Sequence, residues 1–253
     1  RSDRGHCWMP RKASISSGVI EPGKLESKAG GEVNIFSQPQ ENPVSALKSS
    51  LCSLYCLFLL GVWLARQCGR HPSAAQQLQK LLEIPEAVDA VLQDESVRLF
   101  AGRIASEFGR SHAALVVDGS QGLCVAREAA FKIEENSWTS IGKVSDYQNA
   151  EAAAFCKREG ERLLLINVTR RERLKEAVTL MRQLHEAAVP FAAVGFPSRE
   201  MKVMQRFSAD RCVFLTKVDD MLQPFVDLPF YYLLAYFYGI ARGRSAGEFP
   251  RNR

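Results

Sequence analysis

Four short, continuous apolar runs recur between residues 112 and 216, each bounded by polar or turn-forming residues. Runs of this length are typical of strands that are buried on both faces of a parallel sheet. They read "HAALVV" (112–117), "RLLLINV" (162–168), "FAAVGF" (191–196) and "RCVFLT" (211–216). We therefore predict a strand in each of them.

Longer stretches with apolar residues three or four positions apart lie before, between and after these runs, which is helical spacing. They predict helices in "EIPEAVDAVL", "ESVRLFAGRIASEFGR", "RERLKEAVTLMRQLHEAA" and "LPFYYLLAYFYGIARG", and one more after the turn "DGSQG" (118–122). Strands that alternate with helices through short connections indicate a parallel sheet. The predicted fold class is α/β, a doubly wound parallel sheet with helices on both faces.

The first part of the chain has a different pattern. Residues 1–40 are rich in Gly, Ser, Pro and charge and show no sustained period, so we predict an irregular or partly disordered segment. Residues 41–70 are predicted to form a linking helix, and 71–253 the folded domain. The run "LCSLYCLFLLGVWLA" (51–65) is apolar all round, but a membrane span needs about 20 apolar residues. Because Lys48 and Arg66 bound it closely, we predict a buried core helix and no membrane contact.

Composition narrows the possible functions. A hydrophobic content of 46% and a charged content of 24% are ordinary for a soluble globular protein. The net charge of +5 is modest, and no basic cluster is interleaved with aromatic residues, so a nucleic-acid partner is not expected. The seven cysteines form no C-x-x-C pair, which favours a reducing, cytoplasmic location. No spacing typical of a metal site or nucleotide-binding loop occurs, so we expect no metal and no cofactor.

One charged stripe is a candidate for chemistry. Glu128, Lys132 and Glu135 are separated by four and three residues, which places them on one face of a helix. The stripe has two interpretations: a solvated face stabilised by Glu–Lys pairs, or a site in which one carboxylate acts as an acid and base. A carboxylate that accepts a proton from one carbon and returns it to the next suits aldose–ketose isomerisation.

The stripe lies in a segment that resembles a known family. "AREAAFKIEENSW" (126–138) resembles A-x-E-G-A-L-K-x-K-E-x-S-Y, a motif of the second sugar isomerase (SIS) domain in glucosamine-6-phosphate synthases, the glutamine–fructose-6-phosphate aminotransferases. Three further stretches are similar to motifs of that family in the same order. They are "ENPVSALKSS" (41–50), "EIPEAVDAVLQDE" (83–95) and "LLAYFYGIARG" (233–243) followed by "PRN".

The resemblance implies a flavodoxin-like SIS domain that binds a sugar phosphate, in a cytoplasmic protein that forms homodimers. It implies that Glu135 is the acid/base for isomerisation of fructose 6-phosphate or a related sugar. It also implies that Val44, Lys48 and Lys132 contribute to substrate binding. The crowding of aromatic residues in the last helix supports the dimer, because one helix face can bury only about half of them.

The chain also departs from the family pattern. The stretch "TSIGKVSDYQNAEAAAF" (139–155) lacks the histidine that the family uses to open the sugar ring, and Ala46 and Leu47 replace a Ser-Thr pair. The family's lysine after P-R-N and its first SIS copy fall outside this sequence. A poor catalyst, or a non-catalytic module for binding or scaffolding, is therefore the alternative. The "DGSQG" turn could cradle a phosphate on backbone N–H groups, although Asp118 would repel it.

Overall fold

The computed structural model describes residues 47–69, 74–109, 113–118, 122–137, 141–149, 162–169, 171–197, 201–208 and 210–244. The predictions for residues 1–40, and for Val44, therefore lie outside the described residues. The chain divides into two compact units, with Lys48–Gln79 in the first and Lys80 onward in the second. Each unit is described by itself.

The elements follow one another in the order helix, helix, helix, helix and then alternating strands and helices. The helices are α1 (Leu47–Gln67), α2 (Ala74–Leu81), α3 (Ile84–Gln93), α4 (Glu95–Phe108), α5 (Leu123–Ser137), α6 (Leu174–Glu186), α7 (Met201–Ser208) and α8 (Gln223–Ala241). The strands are β1 (Ala113–Val117), β2 (Ile141–Ser145), β3 (Arg162–Asn167), β4 (Ala192–Gly195) and β5 (Cys212–Phe214). A short 3-10 turn at Arg171–Arg173 precedes α6.

The five strands form one parallel sheet in the order β2-β1-β3-β4-β5. From β1 the chain moves outward to β2 and then returns to the other side of β1 with β3. The strand order therefore reverses between β1 and β3, and this reversal is the switch point of a doubly wound sheet. The predicted fold class is confirmed.

Helices cover both faces of the sheet. On one face, α6 and α7 pack over a core that includes Leu164, Ile166, Leu180, Met181 and Met204. Helix α8 contacts α3, α4 and α5, and seven of its apolar and aromatic side chains from Phe225 to Tyr238 are at most 2% exposed. Because α8 is enclosed by three helices, most of its apolar residues are buried within this chain.

Local signals explain where the helices begin. Asp94 caps α4, since its carboxylate accepts hydrogen bonds from the backbone N–H and hydroxyl of Ser96 and from the N–H of Val97. The Ser96 hydroxyl is the main reason that the pKa of Asp94 lies below its usual range. Pro85 lies in the first turn of α3, where its missing N–H costs no hydrogen bond.

The predicted elements differ from the observed ones in several places: the short helices α2 and α7 were not predicted, and α8 begins at Gln223, five residues before the predicted start. Strand β2 was not predicted, because "IGKVS" is short and contains Gly and Lys, and an edge strand needs apolar cover less than a central one does. The predicted helix at 171–188 begins as a 3-10 turn, and α6 itself starts at Leu174.

The prediction of a buried core helix at 51–65 is wrong. A helix does form, and it is longer than the apolar run, but Val62 is the one hydrophobic residue of α1 that is buried among the described side chains. The stretch Lys48–Gln67 is long and apolar enough to cross a membrane by length and composition, and apart from Val62 its described side chains are exposed or half-buried.

The aromatic residues of α8 are mostly covered by this chain, contrary to the expectation that one helix face can bury only about half of them. Phe230, Tyr231, Tyr232 and Tyr238 are all buried within the chain, because α8 has helices on several sides rather than on one face. Tyr236 remains 43% exposed. The aromatic crowding thus reflects the core, and only a small part of it is available to a partner.

Close approach of α5 and α8 depends on a glycine, and a substitution tests this. A Cβ at Gly239 would lie 3.0 Å from the backbone oxygen of Asn136 in α5. We expect Gly239→Ala to lower the free energy of unfolding by about 1–2 kcal/mol, because overpacking costs more than the gain in helix propensity returns. Urea unfolding measures the change.

Gly102→Ala is the matched control in α4. The nearest atom to a Cβ there is Phe237 Cδ1 at 4.0 Å, which is ordinary contact. This variant should gain stability by up to about 1 kcal/mol from helix propensity alone. If both variants gained stability, the close packing of α5 on α8 would be refuted.

Candidate functional site

The charged stripe of α5 forms a compact ion cluster. Lys132 Nζ lies 2.8 Å from Glu135 Oε2 and 3.7 Å from Glu128 Oε1. The Lys132 side chain is only 3% exposed, whereas Glu128 and Glu135 are 29% and 24% exposed. The predicted spacing on one helix face is therefore confirmed, but Lys132 is a buried cation rather than part of a solvated face.

Neighbouring groups fix the cluster in place. Tyr232 of α8 donates a hydrogen bond to Glu128 Oε1 at 3.4 Å. The Lys132 ammonium lies 5.1 Å from the centre of the Phe131 ring, a cation–π contact. Asn136 Nδ2 donates to the Lys132 backbone oxygen at 2.8 Å in the last turn of α5. These contacts hold the lysine between two carboxylates.

This arrangement can hold the Glu135 carboxylate in a fixed position. A buried ammonium needs negative partners, because desolvating an unpaired charge is costly. The Lys132 ammonium therefore holds Glu135 in one place, while about a quarter of the Glu135 side chain stays accessible. A fixed and accessible carboxylate is what a general acid or base requires.

The other two predicted binding residues are not joined to this cluster by the described structure. Val44 lies outside the described residues. Lys48 is exposed near the start of α1, in the first unit, whereas Lys132 and Glu135 belong to the second. Their roles stay predictions from the sequence.

A second polar cluster lies at the carboxyl ends of β1 and β3, at the switch point of the sheet. Asp118 directly follows β1, Asn167 ends β3, and Thr169 lies two residues further on. Gln223 and Asp227 come from the first turns of α8. All five side chains are at most 2% exposed.

Hydrogen bonds join the five side chains of this cluster, which we call the switch-point network. Asn167 Nδ2 donates to Asp118 Oδ2 at 2.6 Å and also lies 3.4 Å from Thr169 Oγ1. The Thr169 hydroxyl donates to Asp227 Oδ2 at 2.7 Å, and Gln223 Nε2 donates to Asp227 Oδ1 at 2.9 Å. Each carboxylate thus accepts hydrogen bonds, which a buried carboxylate requires.

Two tyrosines lie beside the network, and one of them is hydrogen-bonded to it. The Tyr147 hydroxyl donates to the backbone oxygen of Asn167. Complete burial, and then the charges of Asp118 and Asp227 and the phenol of Tyr147, hold the pKa of Tyr231 well above its usual range. Tyr231 therefore remains protonated at any physiological pH. Polar groups of β1, β3 and α8 are tied together across the sheet edge.

The Asp118 carboxylate also changes the expectation for the "DGSQG" turn. A Cβ at residue 122 would lie 2.0 Å from Asp118 Oδ2, so only glycine fits there. Helical hydrogen bonding begins at Gly122, whose backbone oxygen accepts from Ala126. The start of α5, where a phosphate would be favoured by the helix dipole, is already beside a carboxylate. Ser120 lies outside the described residues.

The two clusters are far apart along α5. Gly122 and Glu135 are 13 residues apart, which corresponds to about 20 Å of helix. Doubly wound folds usually bind ligands at the carboxyl ends of the strands, near the switch point. Here that place is filled by buried side chains, and Glu135 lies toward the opposite end of the helix.

The sequence contained local signals for this network that its periodicity did not reveal. Asp118 and Asn167 each end an apolar strand, and Asp227 interrupts a very apolar helix. Their partners are 49 and 58 residues apart, so no short motif joins them. The stretch Asn167-Val-Thr169 has the pattern of a glycosylation sequon, but both polar side chains are buried and hydrogen-bonded within the protein. Among the described residues, no group of three or more His, Cys, Asp or Glu could hold a metal ion.

Thr169 is the central link of the network, and removing its hydroxyl tests the network. Thr169→Val should lower the free energy of unfolding by about 1–3 kcal/mol, because Asp227 loses a donor in a buried place. Chemical denaturation measures the loss.

Thr179→Val is the matched control on α6. Its hydroxyl donates to the Lys175 backbone oxygen at an exposed position, so stability should change by no more than about 0.5 kcal/mol. Equal effects of the two substitutions would contradict a structural role for the network.

Solved structures with the same fold were found, although no protein-family model and no curated protein matches the chain. The C-terminal domain of glucosamine-fructose-6-phosphate aminotransferase from Francisella tularensis superposes with a TM-score of 0.74 at 16% identity, over 83% of this chain and 58% of that one. Tagatose-6-phosphate ketose/aldose isomerase from Escherichia coli gives a TM-score of 0.56 at 17% identity, over 80% and 52%. The sugar isomerase domain of the RpiR transcription factor from Sphaerobacter thermophilus gives 0.50 at 17% identity, over 66% and 91%. The chain thus spans little more than half of the first two structures, and it has the sugar isomerase fold that the sequence motifs implied.

Proposed function

We propose that the chain is a sugar-phosphate-binding SIS domain in which Glu135 serves as the acid/base of a ketose–aldose isomerase or aminotransferase. The observation that carries this proposal is the buried Lys132 ammonium, which holds the accessible Glu135 carboxylate at 2.8 Å. Isomerisation moves a proton from one carbon of the sugar to the next. A carboxylate in a fixed position can take that proton and return it.

Lys132 acts as a positioning residue in this proposal. Its ammonium contacts both Glu128 and Glu135, so rotation of either carboxylate would weaken an ion pair in a largely desolvated place. Tyr232 restrains Glu128 from the side of α8. The substrate specificity that we propose, fructose 6-phosphate or a related sugar phosphate, follows from the motif around Glu135 and from the fold shared with proteins that act on sugar phosphates.

The proposed site needs a group that binds the phosphate and a group that opens the sugar ring, and the described residues around Glu135 supply neither. The start of α5, which could cradle a phosphate, faces Asp118, and it is about 20 Å of helix away from Glu135. The segment 139–155 contains no histidine for ring opening. The unit alone should therefore be a weak catalyst even when it is correctly folded.

A non-catalytic role in binding or scaffolding is the second candidate. The missing histidine and the carboxylate at the start of α5 favour it, and the fold is also found in a transcription factor. In that case the Lys132 cluster would only stabilise the contact of α5 with α8. A substitution of Glu135 distinguishes the two roles, because only the catalytic role predicts a loss of turnover.

Replacing Glu135 tests the proposed chemistry. Purified protein is incubated with fructose 6-phosphate, glucose 6-phosphate is followed by a coupled assay, and binding is measured by calorimetry. We expect turnover well below a typical value of about 10 s⁻¹. Glu135→Gln should lower it by a further factor of about 10² or more, while the sugar phosphate still binds.

Glu134→Gln is the matched control, because Glu134 is on the same helix but exposed. It should leave turnover and binding unchanged. Binding without any turnover, unaffected by either substitution, would favour the scaffold role. Absence of sugar-phosphate binding in a folded protein would contradict the enzyme role and the binding role, and only scaffolding would remain.

We also propose a homodimer through a small apolar surface on α4 and α8. Leu99, Tyr236 and Ile240 are 66%, 43% and 47% exposed. Leu99 and Phe237 also line an open groove between α4 and α8, together with Arg98, Gly102 and Arg103. Exposed apolar residues that cluster between two packed helices are typical of interfaces.

A charge in this surface should prevent association. Ile240→Lys is expected to convert dimers to monomers in sedimentation at micromolar concentration, since an unpaired lysine would be desolvated in the interface. Leu82→Lys, at an equally exposed leucine outside the surface, should not. A wild-type protein that sediments only as a monomer would refute the dimer.

A further inference from the structure

Phe131 is the one large apolar side chain of α5 that is exposed among the described residues. It is 50% exposed, whereas Val125, Ile133 and the alanines of the helix are at most 3% exposed. Single apolar side chains are common on protein surfaces, so exposure alone indicates no function. Phe131 differs from such a residue because it lies beside the ion cluster of Glu128, Lys132 and Glu135.

The ring of Phe131 is joined to this cluster by position and by contact. Phe131 comes three residues after Glu128 and four before Glu135, and these spacings place side chains on one helix face. The centre of its ring lies 5.1 Å from the Lys132 ammonium, and this cation–π contact holds the ring against the cluster. An apolar surface therefore lies directly beside the two carboxylates.

The two sides of Glu135 differ in what they offer to a ligand. Successive residues of a helix are turned by about 100°, so Lys132 lies roughly 60° to one side of Glu135 and Phe131 roughly 40° to the other. The Lys132 side is closed, because that side chain is only 3% exposed. The Phe131 side is open to solvent. A molecule that reaches the accessible part of Glu135 from solvent therefore meets the Phe131 ring.

A sugar phosphate has a surface that fits such a ring. Its carbon chain carries C–H bonds that the neighbouring oxygens make slightly positive, whereas the face of an aromatic ring is apolar and slightly negative. We propose that Phe131 is a substrate-binding residue, on whose ring the carbons of the sugar lie when they reach Glu135. This role of Phe131 rests on the proposed function of Glu135, and it adds a group that recognises the carbon chain of the sugar.

A contact with the sugar and a purely structural contact with Lys132 predict different kinetics. If the ring touches the sugar, its removal weakens binding and raises KM, while kcat and its pH profile stay the same. If the ring only positions Lys132, its removal displaces the Glu135 carboxylate. That displacement lowers kcat or moves its pH profile, and binding stays the same.

The experiment replaces the ring in the full chain. Binding of fructose 6-phosphate is measured by calorimetry, and KM and kcat come from the coupled assay. Phe131→Leu keeps an apolar side chain without the aromatic face, and it should raise Kd and KM by about three- to tenfold with kcat unchanged. Phe131→Tyr keeps the ring and should stay within about twofold of the wild type.

Leu82→Ala is the matched control, because it shortens an apolar side chain that is 67% exposed and lies outside α5. It should leave Kd, KM and kcat unchanged. Circular dichroism and urea unfolding show that each variant is folded.

A nuclear magnetic resonance measurement gives a readout that does not depend on turnover. The protein is deuterated except for its phenylalanine rings, these ring protons are irradiated, and the signal transferred to the C–H protons of the bound sugar is recorded. The wild type should show transfer. Phe131→Leu should lose most of it at a sugar concentration that restores the same occupancy.

Three results would overturn the role of Phe131 alone. The first is an unchanged Kd in Phe131→Leu when the wild type binds the sugar. The second is a lower kcat or a moved pH profile with unchanged Kd, which makes Phe131 a positioning residue for Lys132. The third is altered sedimentation of Phe131→Leu with unchanged Kd, which places the ring in a protein interface.

The outcome for Glu135 is separate. If Glu135→Gln leaves turnover unchanged while Phe131→Leu weakens binding, the acid/base role fails and the contact of Phe131 with the sugar stands. A folded wild type that binds no sugar phosphate contradicts the proposed function, and the role of Phe131 fails with it.

Discussion

The enclosure of α8 is the constraint on which the rest of the second unit depends. Three helices surround it, so polar residues on its first turns have no access to water. Asp227 is 2% exposed, and a buried carboxylate without hydrogen bonds would cost several kcal/mol. Thr169 and Gln223 satisfy it. These hydrogen bonds fix α8 to the end of β3. Because α8 packs against α5, the position of α5 is fixed as well.

The packing of α8 against α5 also positions the charged stripe. Tyr232 of α8 contacts Glu128, and Gly239 allows α8 to approach the end of α5 closely. Glu135 is therefore positioned by packing between two long helices, not by a mobile loop. A site on such elements keeps its geometry, which is favourable for acid/base chemistry. The same packing buries the polar side chains at the switch point, where doubly wound folds usually bind ligands.

Sequence patterns predicted the parts of the structure that depend on short-range spacing. The α/β class, the helices around Val97 and Leu180, and the stripe from Glu128 to Glu135 all follow from periods of a few residues. The switch-point network could not be predicted in this way, because Asp118 and Asn167 meet only after the strands have paired. Strand β2 was missed for a related reason. Its pairing with β1 supplies the hydrogen bonds, and its own residues give a weak signal.

Helices α1 and α8 show why apolar composition alone does not determine burial. Both are apolar over most of their surface. The sequence predicted a core position for α1 and, for part of α8, a surface that a partner covers. Most of α8 is instead buried within the chain, because α3, α4 and α5 pack around it. In α1 the same kind of composition is accompanied by exposed Leu57 and Trp63. An apolar composition shows only that contact between the helix and water is unfavourable. The rest of the structure determines what covers the helix.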